Sequence, residues 1–181
     1  MDFNTVHTLI SEEELYQRIK ELGEQISRDY EGKVVHLVGI LKGSVFFLCE
    51  LAKHITCQVT MDFMSVSSYQ NATKSSGVVR LVKDLDEPLE GKDVLVVEDI
   101  IDSGHTLSYL LELLGRRNPN SLKLSTLLDK PDRRVVENVN VDYVGFVIPD
   151  EFVVGFGLDF QQEYRNLPYI GYFKADEEQA E

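Results

Sequence analysis

One stretch constrains the fold more than any other: Val94–Leu107, which reads VLVVEDIIDSGHTL. The apolar run Val94–Val97 meets two adjacent carboxylates, Glu98 and Asp99. Ile100 and Ile101 follow, then Asp102 and the small polar Ser103-Gly104-His105-Thr106. From Leu107 onward, Leu107, Leu110, Leu111 and Leu114 recur at helical spacing. The pattern predicts a buried parallel strand, a tight acidic turn, and a helix whose first turn is rich in Ser, Gly and Thr. Such a helix start presents free backbone N–H groups and the positive end of the helix dipole, which suits an anion such as phosphate. Carboxylates at a buried strand end are costly unless something pairs with them, so a cation or a polyhydroxylated ligand is expected beside that phosphate. A phosphorylated sugar with Mg²⁺ satisfies both demands.

The flanking chain supplies a frame for this unit. Ser11 with Glu14 forms a capping-box pattern, and Leu15, Ile19, Leu22 and Ile26 mark one face of a helix reaching about Tyr30. Gly32 breaks it. Val34–Leu41 has strand length and ends in Gly39-Ile40-Leu41-Lys42-Gly43; Leu48, Leu51, Ala52 and Ile55 give the next helix, and Val59–Ser67 the next strand. Ser67–Gly77 is polar, small and aperiodic, and is read as a mobile loop of the kind that serves as a lid. Val78–Lys83 and Ser121–Leu128 are strand-like, the latter followed by the charged loop Lys130–Arg134. Tyr143–Ile148, Phe152–Leu158 and Tyr169–Phe173 are short apolar segments that look like a small β-rich appendage. Strand–helix alternation implies an α/β fold, a mainly parallel twisted sheet with helices on both faces, whose ligands bind at the C-terminal strand ends. Gly39–Gly43, Glu98–Thr106 and Lys130–Arg134 all fall at that edge.

Charge excludes one class of function. A formal net charge of −13 leaves no basic face for nucleic acid, and any phosphate must be held by local donors and metal against the overall field. Cys49 and Cys57 lack metal-type spacing and read as reduced thiols. The N-terminal residues show no signal-peptide pattern and no run approaches a membrane span, so a cytoplasmic location and no membrane partner are expected. Walker-type and dinucleotide loops do not fit, because there is no GxxxxGK[ST] and Gly155-Phe156-Gly157 lacks a third glycine and a following helix.

These motifs together resemble the type I phosphoribosyltransferases, which bind 5-phosphoribosyl-1-pyrophosphate (PRPP) at a turn like VLVVEDIIDSGHTL. Gly39–Gly43, Ser67-Ser68-Tyr69, Leu127–Pro131, Ile148–Phe160 and Tyr164–Pro168 are similar to the short bacterial hypoxanthine-guanine branch of that family. The resemblance runs from about Leu9 to Phe173. It implies one phosphoribosyltransferase domain over 1–181, with a core at about 32–145, a hood formed by the N-terminal segment and about 146–175, and a lid at about 67–78.

The resemblance also implies roles, residue by residue. The backbone of Asp102, Ser103, Gly104, His105 and Thr106, with the Ser103 and Thr106 hydroxyls, would cradle the 5′-phosphate. Glu98 and Asp99 would face the ribose hydroxyls and the Mg²⁺ shell, and Asp102 would act at purine N7 as general base or acid. Leu41, Lys42 and Gly43 would form the pyrophosphate loop, with a Leu41–Lys42 peptide that can be cis, and Arg165 would contact the same group. Lys130 would donate to the purine 6-oxo group, Phe152 would stack on the base and Val153 would bind it through its backbone. Asp159, beside the purine, would hold a second Mg²⁺. Ser68 and Tyr69 would belong to the lid. The implied reaction is purine salvage from PRPP and hypoxanthine or guanine by a homodimer or homotetramer. Glu151, where some relatives carry Lys, leaves a xanthine-preferring enzyme open. A nucleotide-sensing RNA-binding regulator on the same fold would need a basic face.

Overall fold

The computed structural model describes residues 6–68 and 79–173. In chain order the elements are β1 (Val6–Ile10), α1 (Glu12–Asp29), β2 (Val34–Leu41), α2 (Val45–His54), β3 (Gln58–Ser68), β4 (Val79–Lys83), β5 (Asp93–Ile101), α3 (His105–Gly115), β6 (Ser121–Asp129), β7 (Tyr143–Val147), β8 (Val153–Val154) and β9 (Ile170–Phe173), with a 3₁₀ turn at Pro131–Arg133. Tyr69 and most of the expected lid lie outside the described residues.

The expected capping box starts α1. Glu14 N donates to Ser11 Oγ at 3.3 Å and Ser11 N donates to Glu14 Oε2 at 2.8 Å, so two end-of-helix donors are satisfied reciprocally. Leu15, Ile19, Leu22 and Ile26 are fully buried, as their spacing requires.

Six strands form the main sheet in the order β4-β3-β2-β5-β6-β7, all parallel except β4, which pairs antiparallel with β3. β5 is central and buried on both faces, which explains its unbroken apolar run. Leu95 and Val97 join the core packed under α1 and α2; Val94 and Val96 join a second core with Leu107, Leu110 and Leu114 of α3. The helices therefore cover both faces. A separate three-stranded antiparallel sheet has the order β1-β9-β8. None of the described helices is long and apolar enough to cross a membrane.

Two sequence expectations are corrected. Glu98 and Asp99 do not form a turn but continue β5, which runs to Ile101. The reason lies in β6, which pairs with β5 past the carboxylates, Glu98 opposite Thr126 and Ile101 opposite Asp129. Tyr143–Val147 does not belong to a β-rich appendage; it is the last strand of the main sheet, parallel to β6. Its crossover carries only the 3₁₀ turn, so the helical period that marks a βαβ unit in a sequence is missing.

Candidate active site

The chain leaves β2 toward β3 on one side and, from β5, proceeds to β6 and β7 on the other. The strand order reverses between β2 and β5, and ligands of open α/β sheets bind outside the carboxyl ends at such a point. β2 and β5 pair only as far as Gly39 and Val97, whereas β5 and β6 stay paired to Ile101 and Asp129. The end of β5 thus faces an open crevice on its β2 side.

The α3 side of the crevice holds the expected phosphate cradle. Gly104 caps α3 with φ of 86°, a left-handed conformation that side chains resist, and no side chain caps the helix. The first-turn N–H groups therefore remain available to a ligand. Glu98, Asp102, Ser103, Gly104 and Thr106 line a concavity of about 160 Å³ in front of them. His105 is exposed on the first turn. The loop is anchored from behind: Val135 N and Val136 N both donate to Ser103 O, at 3.0 and 3.1 Å.

Because Glu98 and Asp99 are consecutive in a strand, they point to opposite faces. Glu98 faces the phosphate cradle, with its Oε2 buried and without a hydrogen-bond partner. Asp99 faces α2, close enough to the Gly43 backbone that a Cβ there would overlap its Oδ2. Burial, then the neighbouring Asp99, pushes the Glu98 carboxyl well above its ordinary range. Burial pushes Asp99 up to about 6, reinforced by Asp159 and opposed by the Ile100 N–H and Arg165. Both acids are thus poised to gain from a cation or from hydroxyl donors.

The leaving-group side is built by two loops in backbone contact. The Leu41–Lys42 peptide is cis, and Gly157, at φ of 104°, lies so close to Gly43 O that any side chain would collide with it. Arg165 donates from Nη1 to Gly157 O at 2.6 Å and pairs with Asp159 Oδ1 at 2.6 Å, while its buried Nε has no partner. Lys42 Nζ donates to Gln162 Oε1 at 3.1 Å, and Gln162 N to Asp159 Oδ2 at 2.8 Å. Both Asp159 oxygens are therefore engaged. Gln162 and Gly157 were not singled out by sequence reasoning, since Lys42 and Gly43, far away in sequence, are brought to them only by the fold.

Over the opposite wall, Lys130 is 7% exposed and donates to Glu151 O at 2.6 Å. Phe152 is 46% exposed, with Phe173 stacked at 6.3 Å and Phe160 set edge-on at 5.7 Å. This is an aromatic platform with one open side. Val153 buries its side chain in β8, the edge strand of the small sheet. Asp102 accepts from Arg133 Nε at 3.1 Å, and Arg133 Nη1 donates to Asp150 Oδ2 at 3.4 Å. Contacts thus join Lys42 and Gly43 to Asp99 and to the Asp159–Arg165 segment, and Asp102 through Arg133 and Asp150 to Lys130. A wider concavity, about 800 Å³ along α1 and lined by Tyr16, Glu50 and Phe146 among others, lies apart from these groups.

Comparison with known proteins agrees with this geometry. The family model described as a phosphoribosyl transferase domain matches residues 7–161. The chain is 57% identical over 168 residues to the hypoxanthine-guanine phosphoribosyltransferase of Lactococcus lactis subsp. lactis, covering 93% of this chain and 91% of that one. It is 56% identical to a segment of the Listeria monocytogenes bifunctional protein TilS/HprT, of which it spans 26%. A crystal structure of a hypoxanthine-guanine phosphoribosyltransferase from Bacillus anthracis superposes with a TM-score of 0.89 at 51% identity, over 93% of this chain and 98% of that one.

Proposed function

The chain belongs to the phosphoribosyl transferase family, and on that premise we propose that it transfers the 5-phosphoribosyl group of PRPP to N9 of hypoxanthine or guanine, a purine-salvage reaction giving IMP or GMP and pyrophosphate. The observation that carries this reading is three loops at the C-terminal ends of parallel strands, Leu41–Gly43 touching Asp99 and the Gly157–Arg165 segment, Asp102–Thr106 tied to Lys130–Arg134 through Arg133, and Lys130 bonded to the carbonyl before Phe152. That arrangement offers separate places for a 5′-phosphate, a pyrophosphate and a planar 6-oxo base.

Ser103, Gly104, His105 and Thr106 bind the 5′-phosphate at the start of α3. Glu98 receives the ribose hydroxyls. Lys130 releases the Glu151 carbonyl to donate to the 6-oxo group, Phe152 stacks on the ring, and the Val153 main chain completes base recognition. Leu41, Lys42, Gly43 and Arg165 hold the pyrophosphate, and the unpartnered Arg165 Nε is a donor ready for one of its oxygens. As the bond from C1′ to pyrophosphate breaks, positive charge builds on the sugar and negative charge on the departing group, where Lys42 and Arg165 stabilise it. As the bond from C1′ to N9 forms, Asp102 takes the proton from N7, and in the reverse reaction returns it. Ser68 and Tyr69 open the segment assigned to the lid.

The site suits Mg²⁺. Among the described residues no three His, Cys, Asp or Glu side chains gather into a metal cage. Mg²⁺ is commonly held by one or two carboxylates together with substrate phosphates, and the half-buried Glu98 and Asp99, with Asp159 beside Arg165, meet that description. When bound, the ion supplies further neutralisation of the leaving group. We take the enzyme to work in the cytoplasm, its Cys49 and Cys57 both being free thiols, and as a homodimer or homotetramer. The exposed Tyr16 and Phe46 on the α1–α2 flank are apolar surface suited to such an interface.

Incubation with PRPP, Mg²⁺ and each of hypoxanthine, guanine, xanthine, adenine and uracil tests the reading. Pyrophosphate release is expected with hypoxanthine and guanine, and its absence with both overturns the proposal. Phe152→Ala is expected to raise KM for hypoxanthine by roughly 5- to 150-fold, the range set by losing base–aromatic stacking worth about 1–3 kcal/mol. KM for PRPP should hold.

A further inference from the structure

We propose that Arg133 is a positioning residue that fixes the Asp102 carboxylate and couples it to the purine-recognition loop, an inference that rests on the role just given to Asp102. Asp102 sits beyond the end of β5 on a bend, with a half-exposed side chain. Among the described residues its carboxylate accepts one hydrogen bond, from Arg133 Nε to Oδ1 at 3.1 Å. Nothing in its own loop holds it. A carboxylate that must exchange a proton with a ring nitrogen needs a defined direction, and a single anchored oxygen leaves the other free to face N7.

The anchor is itself well placed. Arg133 closes the 3₁₀ turn that directly follows Lys130, and backbone hydrogen bonds tie this segment to the phosphate loop on either side of Arg133. Lys130 N donates to Ile101 O at 3.0 Å, and Val135 N and Val136 N donate to Ser103 O. The distance between the Arg133 and Asp102 backbones is thereby set by the fold and not by the ion pair. The guanidinium continues to Asp150 Oδ2 at 3.4 Å, and Asp150 Oδ1 lies 3.8 Å from Lys130 Nζ. One planar fork thus spans the proton-transfer group and the carboxylate facing the base-recognition lysine. Lys cannot reproduce that geometry, because its single ammonium lacks the rigid two-ended arrangement.

A mere surface ion pair would behave differently. These groups are about half exposed, Arg133 at 53% and Asp102 at 45%, and exposed pairs contribute little to stability. The thermal midpoint of Arg133→Gln should therefore stay within about 3 °C of the parent. In steady-state assays with PRPP and hypoxanthine, Arg133→Gln is expected to lower kcat roughly 10- to 100-fold, the scale of a small misplacement of a catalytic group. KM for PRPP should remain unchanged, and Arg133→Lys should restore only part of the loss. The decisive measurement is the double variant: in an Asp102→Asn background, Arg133→Gln should cost nothing further, since its effect passes through Asp102. Parent-like kcat in Arg133→Gln, or an equal loss in both backgrounds, overturns the proposal. If instead Asp102→Asn alone retains full activity, the assignment of Asp102 fails first, and the two failures are told apart by that single variant.

Discussion

Asp102→Asn should lower kcat by roughly 10²- to 10⁴-fold, the contribution typical of a positioned proton-transfer group. The substitution keeps the shape and the ability to accept from Arg133 while removing the capacity to take a proton from N7. Asp102 touches neither the core nor the backbone ladder, and its side chain is half exposed, so folding should be preserved. The phosphate cradle is formed by backbone and hydroxyl groups next to it, so equilibrium binding of PRPP, followed calorimetrically, should change by less than about threefold. Loss of PRPP binding in step with loss of turnover would place Asp102 in the cradle instead.

Asp99→Asn is expected to have two large and opposite effects: activity falls while the ligand-free protein becomes more stable. Asp99 has a folded-state pKa raised from 3.8 to about 6, chiefly by burial. For a carboxyl raised in this way, the unfolded chain ionises first. The penalty is absent below pH 4, grows as pH rises through about 6, and is complete above it. The gap between 3.8 and about 6 corresponds to at most about 3 kcal/mol at 1.36 kcal/mol per pH unit. In a domain of this size that is at most about 6–12 °C in thermal midpoint. The variant should thus melt higher than the parent at pH 7.5, with the advantage shrinking by pH 5. An advantage independent of pH would mean that the asparagine stabilises through packing alone. Glu98 is raised in the same direction by burial and by Asp99, so it adds a penalty of the same sign, absent in acid and growing as pH rises past the ordinary carboxyl range.

Much of this was legible in the order of residues, and the exceptions have physical causes. The Ser11–Glu14 box and the Leu15–Ile26 stripe define α1 because capping and helical burial are local properties. β2 was readable for the same reason, as an apolar run of strand length. The course of β5 past Val97 was not, because Glu and Asp are poor strand formers and only the pairing with β6 keeps them extended. β7 escaped because the rule linking parallel strands through helices is broken by a 3₁₀ turn. In the candidate site, the contiguous motifs Leu41–Gly43, Asp102–Thr106 and Lys130–Arg134 lie at strand ends, where the sequence places them. Arg133 was visible only as part of a charged loop, since its partner Asp102 stands 31 positions away. Gly157 matters through a backbone approach to Gly43 that no spacing encodes.

The alternation of Glu98 and Asp99 across β5 makes the length of that strand a matter of parity. One residue inserted or deleted between Asp93 and Val97 would turn Glu98 toward α2 and Asp99 toward the phosphate cradle, and would present the wrong side chain to each core as well. A loop remote from the site absorbs a changed length at small entropic cost, but here odd changes invert the site and even ones restore its sense while displacing it along the sheet. Variation in this protein should therefore accumulate by substitution within β5 and by insertion only outside it.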